Sequence, residues 1–222
     1  MDFEPLDYVE GLAALYKPFT PTLGLAIAPQ KSAHYEGTGG LFFKLSSAED
    51  DKRVAVLTCA HVSQPLPVSR NDEYMRKNDS QPRKDILLLG YGSFDAAVEA
   101  IMKFIGDQTV AISAWKNTRS RLAAQRGPKY DELTGLINGA RAKITAANEL
   151  HSEVTKNFTT TASRVIGYVF YCAKIEVGQA GFMWDWSFVV LDEDKINWNE
   201  FKGNKMFVGT LTSYHIGVFF YF

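Results

Sequence analysis

Val54–Val62 reads VAVLTCAHV, a run of β-branched and aliphatic residues that closes on Thr58, Cys59, Ala60 and His61. Such a run, bounded by the polar turn Ser46–Arg53 and the proline-rich passage after it, predicts a buried β-strand. Working back along the chain, Gly40–Ser46 (GLFFKLS), approached through Gly37-Thr38-Gly39, predicts its hairpin partner, and Leu23–Ala28 (LGLAIA) a strand before that. Working forward, Gln64–Lys84 carries three prolines and many charges and reads as a surface loop, and Asp85–Gly90 (DILLLG) as a further buried strand.

From Phe94 the period changes. Phe94, Val98, Ile101, Ile105, Gln108, Ile112, Trp115, Arg119 and Leu122 recur in alternating steps of four and three. After Gln125-Arg126-Gly127-Pro128, the residues Leu133, Ile137, Ala140, Ile144, Ala147, His151 and Val154 follow the same rhythm. Two heptad seams separated by Gly-Pro predict an antiparallel helical hairpin of coiled-coil type. Gln108 and His151 read as register or edge positions, and Arg119, Arg121, Arg126 and Lys129 as a solvated cluster complementing a helix end rather than a binding patch. The β pattern then returns at Arg164–Cys172, Trp184–Leu191 and Met206–Thr210. The fold class expected is therefore mainly β with a helical insertion: one antiparallel barrel or sandwich interrupted by a two-helix hairpin. The expected division is residues 20–92 and 159–210 for the β unit, 93–158 for the hairpin and 211–222 for an apolar tail of aggregation-prone composition.

The 222 residues are 46% hydrophobic and 22% charged, with a formal net charge of −1, which fits an ordinary globular chain and supplies no field to recruit nucleic acid or an anionic membrane. The N-terminus lacks the apolar core of a secretory signal, and no run reaches the ~18 apolar residues of a membrane span. Two cysteines, Cys59 and Cys172, make no disulfide framework; both read as core thiols in a reducing compartment, so a cytoplasmic location is expected. His34, His61, His151 and His215 lack the spacing of a zinc site, and no phosphate loop or dinucleotide fingerprint occurs, so neither metal nor cofactor is expected.

Two short stretches carry chemistry. Gly37-Thr38-Gly39-Gly40, a strand pair, and then Thr58-Cys59-Ala60-His61 place a near-neutral base at the end of a rigid strand. Trp184-Asp185-Trp186-Ser187-Phe188-Val189-Val190-Leu191 sets an acidic residue between two tryptophans at the start of another. Read alone, His61 is an ordinary strand-end histidine, and Asp185 a turn residue capping its own backbone or a partner for an arginine such as Arg164. Together they resemble the trypsin-like serine proteases, in which a Gly-rich approach precedes a Thr-Ala-Ala-His stretch and an orienting Asp begins a later strand. The resemblance covers roughly residues 23–62 and 164–209. It is also similar to trypsin-like domains of fungal hypothetical proteins that carry a helical hairpin between the two sites. It implies a Greek-key β-barrel, with His61 and Asp185 as catalytic base and orienter.

The chain departs from that family at Cys59, which replaces a small residue, at Ser187, and in the wide separation of His61 from Asp185. It also contains no Gly-x-Ser-Gly or Gly-x-Cys-Gly segment. In the family the nucleophile and its oxyanion hole come from a second barrel; Ser46, Ser63 and Ser187 lack that context. The expectation is therefore an incomplete endopeptidase unit, inactive as it stands, that acts on a peptide or protein substrate when completed by a second barrel. Its exposed half-interface is expected to favour self-association. The alternative is a non-enzymatic binding or scaffold protein that uses the hairpin as its interaction surface.

Overall fold

A computed structural model of the chain describes residues 11–46, 48, 51–124, 126–196, 201 and 204. In order, the elements are helix α1 (Leu12–Tyr16), strands β1 (Leu25–Pro29), β2 (Gly37–Gly39), β3 (Phe42–Lys44) and β4 (Val54–Thr58), and helix α2 (Ala60–Ser63). Strands β5 (Tyr74–Met75) and β6 (Asp85–Leu88) follow, then the long helices α3 (Tyr91–Arg121) and α4 (Pro128–Asn157). Strands β7 (Val165–Cys172), β8 (Glu176–Val177), β9 (Met183–Trp184) and β10 (Ser187–Leu191) complete the set.

Every pairing in the main sheet is antiparallel, in the order β2-β1-β6-β7-β10-β4-β3, with β5 against β7. The two ends of that order, β2 and β3, are consecutive pieces of one passage, residues 37–44. The sheet is therefore curled. Gly40 N–H donates to the Leu57 carbonyl over 2.7 Å and Thr58 Oγ1 to the Thr38 carbonyl over 2.8 Å, tying that passage to β4. Residue 204 extends the edge: the Asn204 amide exchanges hydrogen bonds with the Phe42 backbone at 2.7 and 3.2 Å.

Alternate residues of the strands fill the interior. Leu25, Ile27, Val56, Ile86, Leu88, Val169, Val189 and Leu191 form one buried cluster. Leu12, Leu15 and Phe19 join it, so the amino-terminal segment contributes a helix that the β reading of the first third did not foresee. The surface loop expected over residues 64–84 likewise contains β5, whose Tyr74 pairs with Cys172. The strand expected to run through Val62 stops at Thr58 and gives way to one helical turn, because the Val62 and Ser63 N–H groups turn back to the Cys59 carbonyl. The expected strand Met206–Thr210 and the apolar tail lie outside the described residues.

The helices lie where the heptads predict them. Ile112, Ile137 and Ala140 pack with Trp115 and Ile144, while Ile101, Ala147, Leu150 and Val154 join the sheet-side core with Ile105 against them. Gln108 and His151 are half-buried, at the seam's edge. At the turn, the Arg119 and Arg126 guanidinium groups stack over Tyr130 at 5.7 and 5.6 Å.

The hairpin is anchored to the sheet by two polar fixtures. The Glu36 carboxylate accepts the Ser93 backbone N–H at 3.0 Å and also the Ser93 hydroxyl, satisfying donors at the start of α3. Buried Arg164 donates to the carbonyls of Leu89 (3.2 Å) and Phe158 (2.7 Å), beside each helix's junction, and stacks over Phe94 at 4.3 Å. Leu89 itself adopts the left-handed region (φ 58°), uncommon for a non-glycine residue, and Arg164 holds its carbonyl there. Among the described residues no helix is long and apolar enough to cross a membrane.

Candidate functional site

The sequence between β4 and α2 explains where His61 points. Cys59 is extended (φ −78°, ψ 148°) and caps the turn, so His61 falls in its first residues, just past the strand end. The turn sits tightly on the 37–39 passage. A side chain at Gly37 would lie 2.7 Å from Val62 Cγ1, and one at Gly39 equally close to Val56 Cγ1. Only glycine permits that approach, which is the physical reason for the Gly-rich stretch ahead of the histidine.

Asp185 lies between β9 and β10. Trp186 beside it stacks on Tyr171 at 4.8 Å, and Ala173 N–H donates to the Trp186 carbonyl at 3.0 Å, fixing the approach to β10. Trp184, on the other side, is exposed, so the carboxylate is not wedged between two indoles. Instead its two oxygens divide between two donors of one residue. Asp185 Oδ1 accepts the His61 backbone N–H at 3.0 Å, and Oδ2 lies 2.6 Å from His61 Nδ1. A carboxylate only accepts, so Nδ1 carries a proton, and in the neutral ring Nε2 holds the free lone pair. The side chains are 56% (His61) and 25% (Asp185) exposed, leaving the imidazole accessible. Residues far apart in sequence thus meet, and the alternative partner Arg164 is engaged elsewhere.

Neither Ser187 nor Ser63 exposes its hydroxyl. Ser187 is fully buried and its hydroxyl donates to the Tyr171 carbonyl at 2.8 Å; Ser63, the last residue of the helical turn, is buried as well. Two features carried no functional reading in the sequence. Cys59, half-buried, brings its sulfur within 4.8 Å of donor atoms of both His61 and Asp185. Burial, and then the Asp185 charge, push its thiol above the ordinary value, so it stays protonated and is a poor nucleophile at neutral pH. The Cys-x-His spacing at a strand end is the signal that could have drawn it in. Separately, a polar cavity of about 350 Å³ is lined by Gln64, Ser69, Arg70, Asp72, Glu73, Tyr74 and Lys84, with neither His61 nor Asp185 in its wall. Burial pushes the Lys84 ammonium below its ordinary value, and it donates to Gln64 Oε1 at 2.5 Å.

An exposed imidazole whose Nδ1–H is held by a carboxylate can take a proton at Nε2 and return it. No family model, no curated protein and no solved structure matches the chain.

Proposed function

We propose that the chain is the base-bearing half of a trypsin-like endopeptidase unit, with His61 as general base and Asp185 as the residue that orients it. The observation that carries this reading is the two-point grip of one carboxylate on the backbone and the ring of one histidine. That grip fixes tautomer and ring direction together, the role an orienting Asp has in a Ser-His-Asp arrangement. The strand order supports the finer reading of the sheet as a Greek-key barrel of that type. Passing round the ladder from β1 through the 37–44 passage, β4, β10, β7 and β6 leads back to β1.

Among the described residues the arrangement lacks an attacking group. Acyl transfer needs a nucleophile in reach of Nε2 and N–H donors for the oxyanion, and the sequence holds no segment of the family's pattern for either. The chain by itself is therefore expected not to hydrolyse peptides or esters. The test is a mixed peptide library and a fluorophosphonate probe applied to the purified chain and to His61→Ala. Absence of turnover and labelling, with an Nδ1–H resonance that is present in the chain and lost on His61→Ala, is the expected result. Turnover or labelling that disappears in His61→Ala would show a nucleophile within this chain. A wild-type imidazole protonated on Nε2 instead would remove the base from its role and favour the scaffold reading.

A further inference from the structure

We propose that Cys59, His61 and Asp185 form a binding site for a zinc-class divalent cation, a site at which metal occupancy and acid–base work by His61 exclude each other. Cation binding goes beyond the peptidase reading and does not need it; only the exclusion of acid–base work rests on that reading. Such a site departs from the sequence expectation of no metal, because histidine spacing cannot show a carboxylate arriving from another strand.

The donor set is the first argument. One atom from each residue, the Cys59 sulfur, a His61 ring nitrogen and an Asp185 carboxylate oxygen, all lie within 4.8 Å of one another. Thiolate with imidazole selects zinc, or cobalt as its probe, over magnesium or calcium, which demand oxygen ligands. In a tetrahedral site with metal–ligand lengths of about 2.0–2.3 Å, donor atoms stand roughly 3.3–3.7 Å apart. Donor atoms as much as 4.8 Å apart must close by about 1 Å, and the 2.6 Å Nδ1–Oδ2 pair must open by a similar amount if that nitrogen binds.

Placement is the second argument. Cys59 and His61 are held two residues apart by the same tight turn, seated on Gly37, while Asp185 stands two residues ahead of Ser187, which β10 pairs with Thr58 at the end of β4. Three protein ligands leave a fourth position, and more than half of the imidazole surface is open to solvent. That is the open geometry of a site which keeps a water or exchanges a ligand, rather than a closed structural one.

Charge balances. The Cys59 thiol loses its proton to bulk water as the metal–sulfur bond forms. Neutral imidazole donates one lone pair, with its single N–H on the other nitrogen, and the carboxylate donates another. A dication with one thiolate and one carboxylate gives a neutral site. The lone pair or orientation that His61 needs as a base is then committed to the metal.

The experiment uses the full chain, stripped with a chelator and titrated with Zn²⁺ by calorimetry and with Co²⁺ by absorption. Expected are one equivalent bound and a sulfur-to-cobalt charge-transfer band, abolished by Cys59→Ser and retained in Cys172→Ser. His61→Ala and Asp185→Asn are expected to weaken binding by at least the roughly 10–100-fold that loss of an outer-shell partner costs. Each variant is checked for folding by circular dichroism without metal; should Cys59→Ser not fold, the exposed His61→Ala carries the test. No stoichiometric binding, a band that survives Cys59→Ser, or affinity unmoved by His61→Ala would overturn the proposal. The peptidase reading is judged on chelated protein by the Nδ1–H resonance and probe labelling, so either can fail without the other.

Discussion

Replacing Asp185 with asparagine keeps the shape of the site and removes its charge. In the native chain both carboxylate oxygens accept, one from the His61 backbone N–H at 3.0 Å and one from the ring at 2.6 Å. An amide offers one oxygen and one NH₂. The backbone N–H cannot change its role, so in Asp185→Asn the amide oxygen must stay with it and the NH₂ turns toward the ring. Two N–H groups would then face each other unless the imidazole moves its proton to Nε2 and accepts at Nδ1. Two charge-assisted hydrogen bonds, each worth about 1.5–3 kcal/mol in general, become neutral ones worth about 1, a loss of roughly 1–4 kcal/mol in total. Because the ring is 56% and the carboxylate 25% exposed, solvent screening holds the loss near the lower end, about 1 kcal/mol. For a chain of this size that lowers Tm by roughly 2–4 °C. The assay is long-range ¹H–¹⁵N correlation of the imidazole with a thermal melt beside it. A variant that keeps its proton on Nδ1 and melts with the native chain would show that the carboxylate does not orient His61.

Three further outcomes are expected. Gly135 and Gly139 sit in α4 with nothing within 4 Å of an added Cβ, so Gly135→Ala with Gly139→Ala should stabilise by roughly 1 kcal/mol each in chemical denaturation. Ile137 is fully buried between the long helices, and Ile137→Ala should cost about 2–4 kcal/mol by the same measurement, while leaving the His61 resonance unmoved. Burial, opposed by Gln64, Ser187 and Lys84, holds the Cys172 thiol above its ordinary 9.0, and burial does the same for the Tyr74 phenol. The folded chain thus binds these protons more tightly than the unfolded one; their contribution is complete below about pH 9 and is lost as pH rises through the raised folded values. Tm should therefore fall on the alkaline side, and less steeply in Cys172→Ala; equal slopes would contradict the assignment.

Legibility in the sequence followed the length of each pattern. The hairpin was readable because Ile101, Ile105, Ile112, Ile137 and Ile144 repeat a period that only a paired helix satisfies, over some four turns or more on each side. Strands β4, β6, β7 and β10 were readable from dense aliphatic and β-branched runs. Helix α1 was not, since five residues give too little period to set against the aliphatic Leu12 and Leu15. Strand β5 is two residues in a charged, proline-rich passage, and its existence depends on Cys172 and Tyr171 offering an edge. At the site, order along the chain singled out His61 and Asp185. Cys59 passed as a small apolar residue, because only the turn after β4 swings its sulfur toward them.

The position of the hairpin bears on how quickly the sheet can assemble. Strands β6 and β7 are neighbours in the ladder, yet residues 89–164 separate them. As a flexible loop, that span would have to be closed by chance before any β6–β7 hydrogen bond formed. Helices α3 and α4 form from local contacts and fold back on each other, which sets their outer ends, Tyr91 and Asn157, near one another. Only the few residues outside the helices then remain to be closed, lowering the entropic cost by roughly 1–2 kcal/mol. A hairpin that forms early would thus raise the closure rate by about tenfold, turning a non-local strand pairing into a nearly local one.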